Sequence, residues 1–508
     1  ETFQKWKNVS AEMKKNIILT AIGAVILSLG VFEKTWWTGL VGLAPLFYVL
    51  VSDSPCPIKR NLICTGIFGV IFYGFCLCWL WKFGWYAYLA LVIYETLFLL
   101  LFGFLFSFFA VKKGSSPLGQ TGRFVFIVFG SALLWTLIDY ARSLGIFGFS
   151  WYGIYHFLAY DRPLIQIVSY TGSYFLDFLT VSFDMCLVCL FVRKYPKGFF
   201  RIGTFEEFYA FMGIMIFIII HIVGLSFMNA PLPGGYRATV LQGSTDMFDS
   251  TDFQTFSRYR KLFEENKEKT DLTIMPETTL FYIEKGDYFA QKLGKMAREK
   301  ETPLLIGANI PANEKQCYNS AVLFSKHGVW QSVQNKIHLV PYGEYVPKIL
   351  PFRIEGMREY DAVPGKETKI FTLSDTDIKL CCGICFDACF PKFFREASKK
   401  ANVFAIISND WWFGKGFAPQ NHLMMNVLRA TENRRYILRC GSNGISGTIS
   451  PYGEILNRTE LDEVTSIICD FGLCDTVTPY AKYGKYYPFV YLILLIFMVP
   501  LLWFAKIK

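Results

Sequence analysis

Ile378-Lys-Leu-Cys-Cys-Gly-Ile-Cys385-Phe-Asp387-Ala-Cys-Phe-Pro391 is the stretch whose reading decides the fold. Its short apolar run predicts a buried strand, and Pro391, a residue tolerated in a first helical turn, predicts that the strand breaks into a helix start. Cys385 falls at that break. A thiol there meets exposed backbone N–H groups and the positive end of a helix dipole, so the sequence predicts a pKa below the ordinary value of ~8.5. Taken alone, a cysteine in an apolar run is more often a small buried hydrophobe.

Two upstream segments share the design of an apolar run followed by a polar residue. Asp271-Leu-Thr-Ile-Met-Pro-Glu277 predicts a buried strand that delivers Glu277 at its C-terminal edge, where the sites of open α/β sheets gather. A lone Glu after a strand is usually a solvated rim residue, but a proline before it breaks pairing and re-aims the chain. Val333-Gln-Asn-Lys336-Ile-His-Leu-Val-Pro-Tyr-Gly-Glu344-Tyr-Val-Pro347 follows Asn319-Ser-Ala-Val-Leu-Phe324 and Gly328, which read as a hairpin. Lys336 on its own would be an ordinary edge-strand lysine. Together the segments bring a Glu, a Lys and a Cys to strand ends, a set suited to acyl transfer through a thioester. Cys385 attacks an acyl carbonyl, Glu277 takes its proton, and Lys336 with backbone N–H groups holds the oxyanion.

These segments resemble the nitrilase (carbon–nitrogen hydrolase) superfamily, whose Glu-Lys-Cys triad sits on an αββα sandwich. Further stretches narrow the resemblance to the bacterial apolipoprotein N-acyltransferases. They are Ser408-Asn-Asp-Trp-Trp-Phe-Gly414 followed by Pro419 and His422, then Arg429-Ala430, Ser442-Asn-Gly-Ile-Ser446, and Lys336-x-His-Leu-Val-Pro-x-Gly-Glu344. The resemblance implies Glu277 as general base, Lys336 as oxyanion stabiliser and Cys385 as nucleophile. It gives supporting or substrate-facing roles to Glu344, Phe386, Asp387, Asn409, Trp412 and His422. The chain departs from the family where Cys385-Phe386-Asp387 replaces Cys-Tyr-Glu and where Lys415-Gly-Phe-Ala418 follows Gly414. Another departure is the Ser-Thr-Asp-Met that follows Val240-Leu-Gln-Gly243.

Outside this block the chain is apolar. Of 508 residues, 53% are hydrophobic and 18% aromatic, and the mean hydropathy is +0.32, which argues for membrane and against a purely soluble or disordered protein. A bilayer core needs about 20 apolar helical residues. Eight runs approach that length: 16–32, 35–52, 61–81, 85–111, 124–141, 163–192, 207–228 and 488–505. Pro45 interrupts the second, and the sixth carries Asp177 and Asp184. The expected architecture is a polytopic membrane protein of eight transmembrane α-helices with an inserted α/β domain. Residues 1–228 hold seven helices, 229–487 the catalytic domain, and 488–508 the last helix and tail. The first run follows a basic arm but lacks a small-residue cleavage site, so an uncleaved helix is expected.

The net charge of +10 would suggest nucleic acid in a soluble protein. The 229–487 block, however, holds 32 basic and 30 acidic residues and shows no basic stripe, which removes nucleic acid as a partner. The remainder holds 19 basic residues, and 15 of them lie in the two termini and alternate connections. By the positive-inside rule both termini are cytoplasmic and the large domain lies outside. Combined with the resemblance, this implies a bacterial inner-membrane enzyme with a periplasmic catalytic domain. It would pass an acyl chain from a phospholipid to the α-amine of a diacylglyceryl-cysteine on a lipoprotein, completing lipoprotein maturation.

Eight of the 14 cysteines lie in the outer block. The Cys382-Gly-Ile-Cys385 spacing fits a redox pair or half a zinc site, but no second such pair accompanies it, and no metal or cofactor is expected. Two rival functions use other features. A tethered amidase or nitrile hydrolase would use the same triad with water, and a transporter or receptor would use Asp139, Asp177 and Asp184 as intramembrane carboxylates. Phe352, Phe413 and Phe417 form the expected lipid-entry loops. Polar substitution of Phe352 or Phe417 should slow thioester formation, followed with a phospholipid donor, while the protein still folds. Unchanged donor turnover would remove that loop from the entry path.

Overall fold

The computed structural model describes residues 2–52, 54–109, 124–192, 204–244, 251–349 and 361–504. The chain divides into two compact units, one comprising Glu1–Ile167, Ser173–Ser226 and Lys485–Lys508, the other Val168–Gly172 and Phe227–Gly484.

The first unit is helical. Among the described residues, five stretches are long and apolar enough to cross a bilayer: Ala11–Val31, Glu33–Val51, Pro57–Cys76, Trp85–Phe108 and Glu207–Met228. The second stretch is interrupted, as Pro45 suggests: a 3₁₀ helix, Glu33–Leu40, gives way to a turn at 41–43 and a separate helix, Ala44–Val51, whose first turn holds Pro45, where a missing N–H costs nothing. The run 163–192 is not one helix. Two short turns, Arg162–Ile165 and Val168–Thr171, precede Gly172 at φ +76°, and a continuous helix resumes at Tyr174–Val192. Gly172 without a side chain adopts the left-handed conformation that ends helices. The run 124–141 contains a π-helical turn, Phe126–Gly130, ahead of the helix Ser131–Arg142.

Carboxyl groups in this unit have structural partners. Arg142 pairs with Glu95 and Asp139, each at 3.2 Å, and donates to the Trp151 carbonyl at 2.9 Å. Asp177 accepts from the Tyr155 N–H at 3.0 Å and Asp184 from the Leu43 N–H at 3.1 Å. Each of these carboxyl groups thus has a partner that offsets part of the cost of burying it.

The second unit is a sandwich of two sheets. Its first sheet runs in the order β13-β1-β2-β3-β4-β5, with β6 alongside β4. These are β1 (Tyr236–Gln242), β2 (Leu272–Ile274), β3 (Leu304–Asn313), β4 (Gln316–Phe324), β5 (Trp330–Asn335), β6 (Asp361–Ala362) and β13 (Thr465–Phe471). The second sheet runs β12-β11-β10-β9-β8-β7. Its members are β7 (Phe371–Thr372), β8 (Lys379–Ile384), β9 (Val403–Ser408), β10 (Ile437–Gly441), β11 (Gly447–Ile449) and β12 (Ile455–Arg458). The hairpin read from Asn319–Phe324 and Gly328 is present as β4 and β5.

The period-two rule explains the layering. Val240, Leu272, Ile274 and Leu305 face Cys382, Ile384, Ala405, Ile407, Leu438 and Cys440 across the central core. Alternate residues, Leu241, Leu304 and Ile306, point outward onto Phe256, Tyr259, Leu293 and Met296 of the helices Asp252–Glu265 and Tyr288–Glu299. On the other side Phe404 meets Phe394 of the helix Pro391–Ala397, and the helix Ala418–Asn433 completes that layer. The unit is thus a nitrilase-like αββα sandwich.

Gly307 on β3 lets the chain after β2 pass close by. A Cβ at Gly307 would meet the Pro276 carbonyl and lie 2.5 Å from the Glu277 Cα. Gly307→Ala should lower stability by about 1–3 kcal/mol, the usual cost of overpacking a tight core. Gly234→Ala, where nothing lies within 4 Å, serves as control. Thermal unfolding in detergent checks this, and equal midpoints for the two variants would contradict the tight approach.

Candidate active site

Three strand ends build the site. Glu277 follows β2, Lys336 follows β5, and Cys385 follows β8 in the opposite sheet. Because β3 pairs parallel to β2, β4 antiparallel to β3, and β5 antiparallel to β4, the C-terminal ends of β2 and β5 share one edge.

The Lys336 ammonium is 2% exposed and sits between two carboxylates. Its Nζ donates to Glu277 Oε1 and Glu344 Oε1, each at 3.0 Å. Burial works against the charge, but the Glu277 and Glu344 carboxylates outweigh it and hold the ammonium well above the usual lysine range. Asn319 Nδ2 bridges the same pair, donating to Glu277 Oε1 at 2.7 Å and Glu344 Oε1 at 2.9 Å. The Asn409 backbone N–H donates to Glu277 Oε2 at 2.8 Å, and the Val340 N–H to Glu344 Oε2 at 2.8 Å. Both carboxylates are therefore fixed at both oxygens.

Cys385 adopts φ +47° at the head of a 3₁₀ turn, Cys385–Cys389. A side-chain-bearing residue in the left-handed region costs of order 1–3 kcal/mol and is retained where the surroundings enforce it. The turn does not depress the thiol pKa as the sequence predicts. Burial first, and the Glu277 carboxylate second, push the thiol well above its ordinary range, with Lys336 opposing them. The physical reason is that a five-residue 3₁₀ turn aligns too few peptides to offset desolvation. The thiol consequently rests protonated and needs a base.

Asp387 couples the turn of Cys385 to the segment that carries Lys336. Its Oδ1 accepts from the His338 N–H at 2.9 Å and from His338 Nδ1 at 2.8 Å, while its Oδ2 accepts from the Ile384 N–H at 3.1 Å. The His338 ring stacks on Phe390 at 3.9 Å, and Phe386 packs edge-on against Phe390 at 5.1 Å. Asp387 and Phe386 thus pack and brace the loop.

The tryptophan segment lies beside these residues. Asn409 Oδ1 accepts from the Trp411 N–H at 3.2 Å, capping the turn Asp410–Phe413. Trp412 and Phe417 are half-buried, and Phe413 is buried edge-on against the His422 ring at 5.3 Å. Phe352 lies outside the described residues. Cys382 is buried between the sheets, and Cys382 and Cys385 form no disulfide. Among the described residues no group of three or more His, Cys, Asp or Glu is arranged to hold a metal ion.

Sequence reasoning missed Asn319 and Arg439. Each had a readable signal, a polar or charged residue inside a strand that is otherwise buried, where only a partnered group survives. Arg439 NH2 reaches Asp410 Oδ2 at 2.6 Å. Arg439 and the Asp139–Arg142 pair show that buried charge occurs in both units for packing as well as chemistry.

Residues 237–476 match the carbon-nitrogen hydrolase family model, and residues 23–186 match the apolipoprotein N-acyltransferase N-terminal domain. Together they cover about four fifths of the chain. The apolipoprotein N-acyltransferase of Geobacter metallireducens is 28% identical over 71% of this chain and 71% of its own length. Apolipoprotein N-acyltransferase 2 of Treponema denticola is 27% identical over 72% of this chain and 75% of its own. The enzyme of that name from Pseudomonas syringae pv. tomato is 24% identical over 95% of both.

Removing Lys336 tests the charge balance of the site. In Lys336→Met the two buried carboxylates lose their counter-charge and find relief only by taking up a proton. The loss of stability should be about 3–5 kcal/mol near neutral pH. Because the folded variant then binds more protons than the unfolded chain, part of that loss should be recovered toward about pH 5. Unfolding midpoints of both proteins at two pH values measure it, and a pH-independent difference would contradict the arrangement.

Proposed function

The chain belongs to the apolipoprotein N-acyltransferases, within the carbon–nitrogen hydrolase superfamily, and on that premise we propose a ping-pong transfer through Cys385. Glu277 takes the thiol proton, and the sulfur attacks an ester carbonyl of a phospholipid. The tetrahedral oxyanion is held by the Lys336 ammonium. As the C–O bond breaks, Glu277 returns the proton to the leaving alkoxide, which departs as a lysophospholipid and leaves an acyl thioester. In the second half, the α-amine of a diacylglyceryl-cysteine attacks the thioester, Glu277 takes a proton from nitrogen, and the thiol of Cys385 is regenerated. A positioned general base typically contributes 10²–10⁴ in rate, and one oxyanion donor about 10²–10³.

One observation carries this reading. A buried, protonated thiol shares its electrostatic surroundings with a carboxylate whose two oxygens are pinned by Lys336, Asn319 and the Asn409 N–H. Such a pair suits general-base chemistry, not a pre-formed thiolate. Glu344 orients Lys336, and its carboxylate fixes the Nζ at a second point.

The apolar helices fit an enzyme whose donor and acceptor are both anchored in lipid. We place eight spans in the inner membrane, with the catalytic domain on the periplasmic side and both termini in the cytoplasm, on the strength of the basic-residue bias. The half-buried Trp412 and Phe417, with Phe413, are proposed to form the acyl-chain approach.

Mass spectrometry of the Cys385 peptide after incubation with phospholipid tests the first half-reaction. The expected result is an acyl-chain mass increment that is absent in Cys385→Ala. Adding a diacylglyceryl-cysteine peptide should discharge the thioester onto its amine. Discharge to free fatty acid at the same rate without the peptide would make the protein a hydrolase, and no adduct at all would overturn the proposal.

A further inference from the structure

His422 lies in the helix Ala418–Asn433, is fully buried, and takes no part in the proton transfers above. A buried imidazole must find partners at both ring nitrogens, since each unpaired polar group costs of order 1–3 kcal/mol. The Nδ1 side is crowded. It lies 3.0 Å from Asp410 Oδ1 and 3.2 Å from Arg439 NH2, while Arg439 NH2 also holds Asp410 Oδ2. The Ser408 hydroxyl donates to Asp410 Oδ1 at 2.5 Å, and Asn426 Oδ1 accepts from Arg439 NH1 at 3.0 Å. Gly444 makes room for this cluster, because a Cβ there would strike the Asp410 carboxylate.

On the Nε2 side lies the main-chain oxygen of Cys385, at 3.2 Å. A carbonyl oxygen only accepts, so Nε2 must carry the hydrogen in this arrangement. Cys385 is the strained residue of the turn, at φ +47°. Its carbonyl and the Phe386 N–H belong to one planar trans peptide and point in opposite directions. Fixing the oxygen therefore fixes the direction of that N–H and the ψ torsion of Cys385, and with them the backbone from which the thiol projects.

We propose that His422 is a positioning residue, an imidazole clamp whose Nδ1 accepts from Arg439, itself anchored by Asp410, and whose Nε2 grips the Cys385 carbonyl and keeps the nucleophile in its left-handed turn. The clamp links three elements that the triad does not. Asp410 comes from the end of β9, Arg439 from β10, and His422 from the helix covering the second sheet. Burial and the Arg439 guanidinium push the imidazole below its ordinary range despite Asp410, in keeping with a neutral ring that donates from Nε2. The inference rests on Cys385 being the nucleophile, and its test carries a readout that needs no substrate.

Glutamine and asparagine separate the clamp from simple packing. The side-chain nitrogen of Gln can reach the place of Nε2, whereas that of Asn reaches only the place of Nδ1. The full chain in detergent is compared as wild type, His422→Gln and His422→Asn. Two quantities are measured, the rate of acyl uptake on Cys385 from phospholipid and hydrogen exchange in the peptide covering 384–389. A misplaced nucleophile costs on the order of 100-fold, so His422→Asn should slow acyl uptake by about that factor and raise exchange in the turn. His422→Gln should recover most of the rate and most of the protection. Equal effects of the two variants, no effect in either, or a better Asn variant would overturn the clamp. A wild-type protein that takes up no acyl group would instead strike the reading of the site, and the exchange comparison alone then decides the clamp.

Discussion

A lysine ammonium sealed between two carboxylates is the constraint on which the catalytic unit depends. Moving such charges out of water costs several kcal/mol per ion, and mutual attraction repays it only when hydrogen bonds satisfy the remaining atoms. Lys336, Glu277 and Glu344 carry a net negative charge together, so attraction alone does not close the account. Asn319, the Asn409 N–H and the Val340 N–H supply the remaining hydrogen bonds. Those donors come from β4, the end of β9 and the loop after β5. The cluster can exist only once both sheets have been assembled in register, and its formation reports that they have.

The same cluster determines the chemistry of Cys385. Its net negative charge and its dryness both disfavour a second anion, which is why the thiol keeps its proton. A depressed thiol pKa would give a ready nucleophile but leave the carboxylate without a proton to deliver. In the proposed mechanism one proton travels from sulfur to Glu277 and on to the leaving group. The base is thereby recharged as an acid at the moment the leaving group needs one.

Much of this was legible in the sequence because the triad residues sit at breaks in apolar runs. Met275-Pro276 before Glu277 and Pro391 after Cys385 mark strand ends as clearly as any local signal can. The thiol's titration was not legible. Local reasoning sees a strand-to-helix turn, whereas the pKa follows from desolvation and from a carboxylate more than a hundred positions away. Asn319 was hidden for a related reason, as its meaning lies in two carboxylates brought together only by pairing of β4 with its neighbours. Hydropathy found the apolar runs but missed the break at Gly172, because a window average cannot register one left-handed residue.

On the proposed periplasmic placement, the protonated thiol also bears on how Cys385 resists oxidation. Oxidation and disulfide exchange proceed through the thiolate, so their rates fall with the thiolate fraction and with access. Burial, the Glu277 charge and the sandwich core act in the same direction on Cys385, and Cys382, three residues earlier, is sealed between the sheets. The feature that, in the proposed mechanism, obliges Cys385 to use a base thus also shields its sulfur between turnovers. An acyl carbonyl delivered against Lys336 meets a thiolate only while Glu277 holds the proton. A reagent that cannot reach that pocket meets a thiol. Selectivity for the substrate and resistance to oxidation then share one cause, the net negative, water-excluded cluster around Lys336.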